Sequence, residues 1–172
     1  MRNGWLYAVM LLFFILEGTV AQVFAPDAWG ASWIVVPRFT LAGIVLIGLY
    51  AGRRKGLIFG LFFGLLYDVL YAQVIGVEVF TMGVMGYLAG LTSRYFHQNF
   101  ILAVVDVIVL TALHEWITYE IYDLFNLASM SLLNLFMREI LPTVVCSALF
   151  TLIVFRPFSY ILNRTLLKKE IV

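Results

Sequence analysis

Apolar residues fall in six long blocks along the chain, at about 5–24, 37–50, 56–71, 77–91, 100–122 and 138–155, and short polar breaks separate them. Each block predicts a membrane-crossing helix. The second to fourth are shorter than the ~20 residues a crossing usually takes. Within the third block glycine recurs every fourth residue, at Gly56, Gly60 and Gly64, and the next step of four lands on Asp68. The fourth carries Gly83, Gly86 and Gly90 on one helical face. Small residues let helix backbones approach closely where lipid removes the hydrophobic drive. The Ala72–Gly76 link is short, so the third and fourth helices are expected to form an antiparallel hairpin packed through these glycines.

Composition agrees with the pattern. The 172 residues are 63% hydrophobic and 12% charged, about half the charge a soluble domain carries. No polar break is long enough for a soluble domain, so residues 1–172 read as a single membrane domain covered by lipid bilayer. The first block follows Arg2 as in a signal peptide. However, Glu17-Gly18 lies inside it and no A-x-A site precedes Pro26, so it reads as a retained helix. Trp29 and Trp33 suit a membrane interface. The single cysteine, Cys146, excludes an internal disulfide and multi-cysteine metal sites. A net charge of +1 makes no case for nucleic acid.

Lysine and arginine settle the expected orientation. With the N-terminus inside, six crossings return the C-terminus inside. Arg2, the cluster Arg53-Arg54-Lys55, Arg94, Arg156, Arg164, Lys168 and Lys169 then all lie on the cytoplasmic side. Only Arg38 and Arg138 lie outside. Arg53, Arg54 and Lys55 act as topology anchors, and residues 156–172 form a basic cytoplasmic tail. The tail reads as a topogenic flank, with a membrane-surface amphipathic helix as the alternative. Asn163-Arg164-Thr165 matches a glycosylation acceptor but falls on the cytoplasmic side.

Four acids sit well inside the blocks, away from their ends: Glu17, Asp68, Asp106 and Glu115. At 1.5 Å per residue, Glu17 and Asp68 lie roughly 18 Å, and Glu115 about 22 Å, from the inner ends of their helices. They share an outer layer with Arg38 and Arg138, which open the second and sixth helices. Asp106 lies nearer the inner face, within reach of basic loops. The five outer residues are a candidate outward polar pocket or partner contact. They have a structural reading as well, in which Asp68 pairs with Arg38 or Arg138 and fixes helix packing. His114-Glu115 matches the first half of H-E-x-x-H, but residue 118 is Thr, so the second zinc ligand is missing. Phosphate-loop and nucleophile-elbow motifs are absent. Asp68 and Glu115 as an acid–base pair are too common a combination to support an enzyme.

The ordered motifs resemble a known family. Val36-Pro37-Arg38-Phe39 opens the second helix, and a basic turn leads to Gly60-x-x-x-Gly64-Leu65-x-Tyr67-Asp68. Gly76-x-x-x-Phe80 opens the fourth helix and Arg138-x-x-x-Pro142-Thr143 the sixth. In order and spacing the chain resembles the rod shape-determining MreD family of bacteria. That resemblance implies a non-enzymatic, cofactor-free scaffold of the elongation machinery in the cytoplasmic membrane, supporting peptidoglycan synthesis and cell shape. It implies MreC, a bitopic protein with a large external domain, as direct partner. MreB, RodZ, the polymerase RodA and a class B penicillin-binding protein would belong to the same complex. It also implies an all-α fold of six transmembrane helices similar to the substrate-binding subunits of energy-coupling-factor transporters. The alternative is a small-molecule-binding membrane subunit or transporter component with the outer polar layer as its site.

Overall fold

The computed structural model describes residues 2–23, 36–96, 99–127 and 132–166. Trp29, Trp33, His97, Gln98, Lys168 and Lys169 lie outside the described residues. Every regular element among the described residues is helical. The elements are α1 (Arg2–Val23), α2 (Phe39–Ala51), α3 (Arg53–Leu70), α4 (Val77–Phe96), α5 (Phe100–Leu124), α6 (Leu132–Leu135), a π-helical turn (Phe136–Ile140) and α7 (Leu141–Leu166). Phe100–Leu124 and Leu133–Leu162 are long and apolar enough to cross a membrane; the second runs through α6, the π turn and α7 as one rod.

The middle of the bundle is α2. Its residues from Phe39 to Leu49 are all buried, and a helix apolar on every side is stable only when other helices surround it. α1, α3, α4, α5 and α7 all pack against it. The outer helices are one-sided. α3 buries Gly56, Phe59, Gly60, Phe63, Gly64, Tyr67 and Asp68 at spacings of one, three and four. Its opposite face exposes Ile58, Leu61, Phe62, Leu65 and Val69. Water would not tolerate so continuous an apolar exterior, whereas lipid covers it at no cost.

Two glycines make the corners. Gly52, at φ 81°, is the single residue between α2 and α3, and Gly76, at φ 108°, precedes α4. L side chains rarely adopt such backbone angles. The basic cluster is therefore not a turn: Arg53, Arg54 and Lys55 form the first residues of α3.

The α3–α4 hairpin is held backbone to backbone. A Cβ on Gly56 would run into the Gly86 carbonyl, one on Gly60 into Met82 and Gly83, and one on Gly64 into Glu78 and Val79, at 2.6 Å from the Glu78 carbonyl oxygen. Gly90 lies on the Arg53 backbone, and Gly48 of α2 joins the seam beside Gly86 and Ala89. Gly83 differs, because a Cβ there meets side chains rather than backbone, the tip of Leu61 at 2.8 Å and that of Leu57 at 3.6 Å. α4 occupies the α3 glycine row along its length, leaving no room on it for a second helix.

Several helix ends differ from the apolar blocks. α4 continues through the polar residues Ser93 and Arg94 to Phe96, and the last rod begins before Arg138 rather than at it. Pro157 does not end α7 but lies inside it. Proline removes one helix hydrogen bond, yet Phe158 and Leu162, 1% and 0% exposed, bind the following turns to the core. Arg156 thus belongs to the helix and not to a tail.

Candidate functional site

One end of the bundle collects the buried charges. It comprises the C-terminal halves of α1, α3 and α5 and the N-terminal ends of α2 and α4. Arg38, the N-cap residue of α2, is buried. Its Nε donates to Glu115 Oε1 of α5 at 2.6 Å, and its Nη1 lies 3.4 Å from Glu78 Oε1 of α4. One guanidinium thereby ties three helices together. Its planar fork suits two carboxylates at once.

His114 completes the cluster and is wholly buried. Its Nε2 lies 3.1 Å from Glu78 Oε2 and 3.2 Å from Thr81 Oγ1. Thr81 already donates its hydroxyl proton to the Val77 carbonyl at 2.8 Å, and an ionised carboxylate only accepts. The network therefore assigns the proton to Nε2, which donates toward both. Nδ1 faces Glu115 Oε1 at 3.6 Å, too long for a hydrogen bond.

Glu17 enters from α1, 2% exposed. Its Oε2 accepts the Thr40 backbone N–H at 2.9 Å, one of the unpaired donors at the start of α2. Tyr67 of α3 donates its hydroxyl toward Thr40 Oγ1 at 3.4 Å. Below this layer Phe13 and Phe39 pack on Phe150 of α7, with ring centroids 5.1 and 4.2 Å away. The polar layer thus rests on a floor of aromatic rings.

Asp68 has another task. It accepts N–H groups from Gly76, Glu78 and Val79 at 2.8, 3.0 and 3.0 Å. These are the free donors at the start of α4, where the helix dipole also favours a negative charge. The expected pairing with Arg38 or Arg138 is therefore corrected: Asp68 is the cap that closes the α3–α4 hairpin. Arg138 is also outside the cluster. It is exposed on the π turn, because the rod begins before it and carries it past the boundary expected for it. Asp106 takes Thr92 of α4 as its partner rather than a basic loop.

Of the five outer residues, the structure joins Arg38 directly to Glu115 and places Glu17 beside them. Glu78 and His114 are the members that reading the blocks missed. Glu78 stands at the edge of its block and counts there as a boundary residue. A signal was present: it lies in the first turn of a helix, two residues after a glycine corner, level with Arg38.

A second feature lies outside the bundle. α5 and the α6–π turn border a groove of about 610 Å³, lined by Ile108, Val109, Ala112, Leu113, Trp116, Glu120, Leu135, Phe136 and Ile140. Its one charged residue, Glu120, accepts the Trp116 indole N–H at 3.0 Å. The apolar surface continues along α5 to Leu124.

Comparison with known proteins adds two findings. The family model described as rod shape-determining protein MreD matches residues 3–166. Among curated proteins, the chain is similar to the "Rod shape-determining protein MreD" of Bacillus subtilis (strain 168). The two are 24% identical over 171 residues, which cover 99% of this chain and 98% of the relative. No solved structure matches the chain.

Proposed function

The chain belongs to the rod shape-determining protein MreD family, and from that premise we propose that it is a multi-pass scaffold of the bacterial cytoplasmic membrane. In this reading it seats the transmembrane helix of MreC beside MreB, RodZ, RodA and a class B penicillin-binding protein, and so supports peptidoglycan synthesis and rod shape. Six crossings with both termini inside, in an arrangement similar to the substrate-binding subunits of energy-coupling-factor transporters, belong to the same reading.

One observation carries the scaffold reading: the division of labour between interior and exterior. The interior charges hold α2, α4 and α5 to one another through Arg38, and the α3 glycine row is filled by α4. The α5–α6 groove is different. It is apolar, open at the surface and extended along a helix. A partner helix in lipid gains from packing into such a groove rather than from leaving water.

Co-purification from membranes in detergent tests this. MreC is expected to elute with the unaltered chain. Ala112→Trp, which fills the groove from α5, is expected to lower the retained MreC about tenfold, equivalent to roughly 1.4 kcal/mol of contact. Failure of MreC to elute with the unaltered chain would sink the scaffold reading. Full retention by Ala112→Trp would remove the groove as the seat.

A further inference from the structure

The α3–α4 hairpin presents two apolar rows on its outer side. On α3 the exposed residues Ile58, Leu61, Leu65 and Val69 follow one another at spacings of three or four, which is one face of a helix. Four positions before Ile58, on the same face, stands Arg54, also exposed. On α4 the exposed Tyr87 and Leu91 lead in the same way to the exposed Arg94. Each apolar row thus ends in an arginine.

The register of the hairpin puts both arginines at one end. Gly56 packs on Gly86, and Gly90 packs on the Arg53 backbone. Arg94 lies one turn past Gly90, about 6 Å beyond the level of Arg53. The seam puts them on one side as well. A Cβ on Gly83 would meet Leu61, a member of the exposed α3 row. Gly83, Tyr87 and Arg94, one and then two turns apart, share a face of α4. Arg54 and Arg94 therefore flank the same seam.

Charge sets what fits there. The ion pairs among the described residues all belong to the cluster around Arg38 and His114. Arg53, Arg54, Lys55 and Arg94 have no acid partner among those residues. Asp106 of α5 accepts from the Thr92 hydroxyl and makes no ion pair with Arg94. Retention of cations at the cytoplasmic face accounts for the number of these charges. It does not account for the alignment of Arg54 and Arg94 with two apolar rows, since any loop position would serve.

We infer that the Arg54–Arg94 edge of the hairpin is a seat for an anionic phospholipid, its phosphate held between the two guanidiniums and its acyl chains laid along the apolar rows. Guanidinium forks match phosphate oxygens two at a time. A phospholipid joins phosphate to hydrocarbon in the same order in which each row joins its arginine to apolar side chains. The inference rests on the membrane placement proposed above.

Lipid binding to the purified full-length chain in detergent, followed by native mass spectrometry, tests this. A prior wash of membranes with alkaline carbonate separates the two readings: release of the chain would sink the membrane placement itself. The probes are phosphatidylglycerol, phosphatidylcholine with the same acyl chains, and inorganic phosphate. Phosphatidylglycerol is expected to bind about 25-fold more tightly than phosphatidylcholine, two cations at about fivefold each. Arg54→Gln and Arg94→Gln should each weaken phosphatidylglycerol about fivefold and leave phosphatidylcholine unchanged. Arg53 and Lys55 remain to hold the orientation. Arg156→Gln removes an exposed arginine of α7 and should change neither lipid. All three side chains are exposed, so the melting temperature without added lipid should not move. Equal binding of the two lipids would overturn the seat. So would a loss in Arg156→Gln as large as that in Arg94→Gln, which would reduce the effect to general surface charge. Full displacement of phosphatidylglycerol by inorganic phosphate would show that the apolar rows hold nothing, and would remove a lipid as the occupant.

Discussion

Asp68 shows how far a single residue can be read. An acid one step beyond a glycine row, deep in an apolar block, demands a partner, and the sequence offers Arg38 and Arg138. The partner is backbone instead: three N–H groups at the start of α4. Asp68→Ala is therefore expected to destabilise the fold by about 1.5–3 kcal/mol, the range for hydrogen bonds to a charged group. The measurement is the melting temperature of the purified chain in detergent. A second change at Arg38 should not restore stability; if it did, the cap would not be the source of the loss. Arg38 is the converse case. Removing one member of a buried charge cluster leaves the others unpaired, and two of those others, Glu78 and His114, are recognisable only once α4 and α5 are brought beside α2.

At the scale of the element, glycine spacing states that a close face exists, and the geometry states what each glycine spares. Gly60 faces the α4 backbone at Met82 and Gly83, which cannot move without shifting the helix. Gly83 faces the mobile end of Leu61. Gly60→Ala is expected to cost about 1–3 kcal/mol through overpacking, and Gly83→Ala a small fraction of that. Thermal unfolding of the two variants side by side checks this, and equal losses would mean that the backbone seam does not hold the hairpin. Helix ends were less legible. Pro157 reads as a stop because it removes a donor, but burial of Phe158 and Leu162 outweighs that loss. Propensity ends a helix only where packing has no stake in continuing it.

For the whole molecule, the cluster Arg53-Arg54-Lys55 carries the orientation argument. It forms the first residues of α3, where positive charge opposes the helix dipole. Helix electrostatics therefore cannot explain it, and retention of basic residues at the cytoplasmic face can. Alkaline phosphatase fused after Gln73 is expected to be active, and fused after Lys55 inactive. The reverse pattern would invert the proposed topology. The two long apolar rods, Phe100–Leu124 and Leu133–Leu162, also border the open groove, so the helices best matched to lipid are those left with a face for a partner helix.

The sequence by itself determined the all-helical class, the apolar exterior and the existence of a close glycine face. These follow from composition and period, which act locally. It also marked Glu17, Arg38 and Glu115 as residues needing an explanation, since a charge in an apolar block is conspicuous wherever the chain goes. Only the tertiary structure decided which charges meet. It assigned Asp68 to a helix start, left Arg138 at the surface, and brought Glu78 to Arg38 and His114 to Glu78. A hydrogen bond depends on distances of about 3 Å, and positions far apart along the chain acquire such distances only when the helices pack.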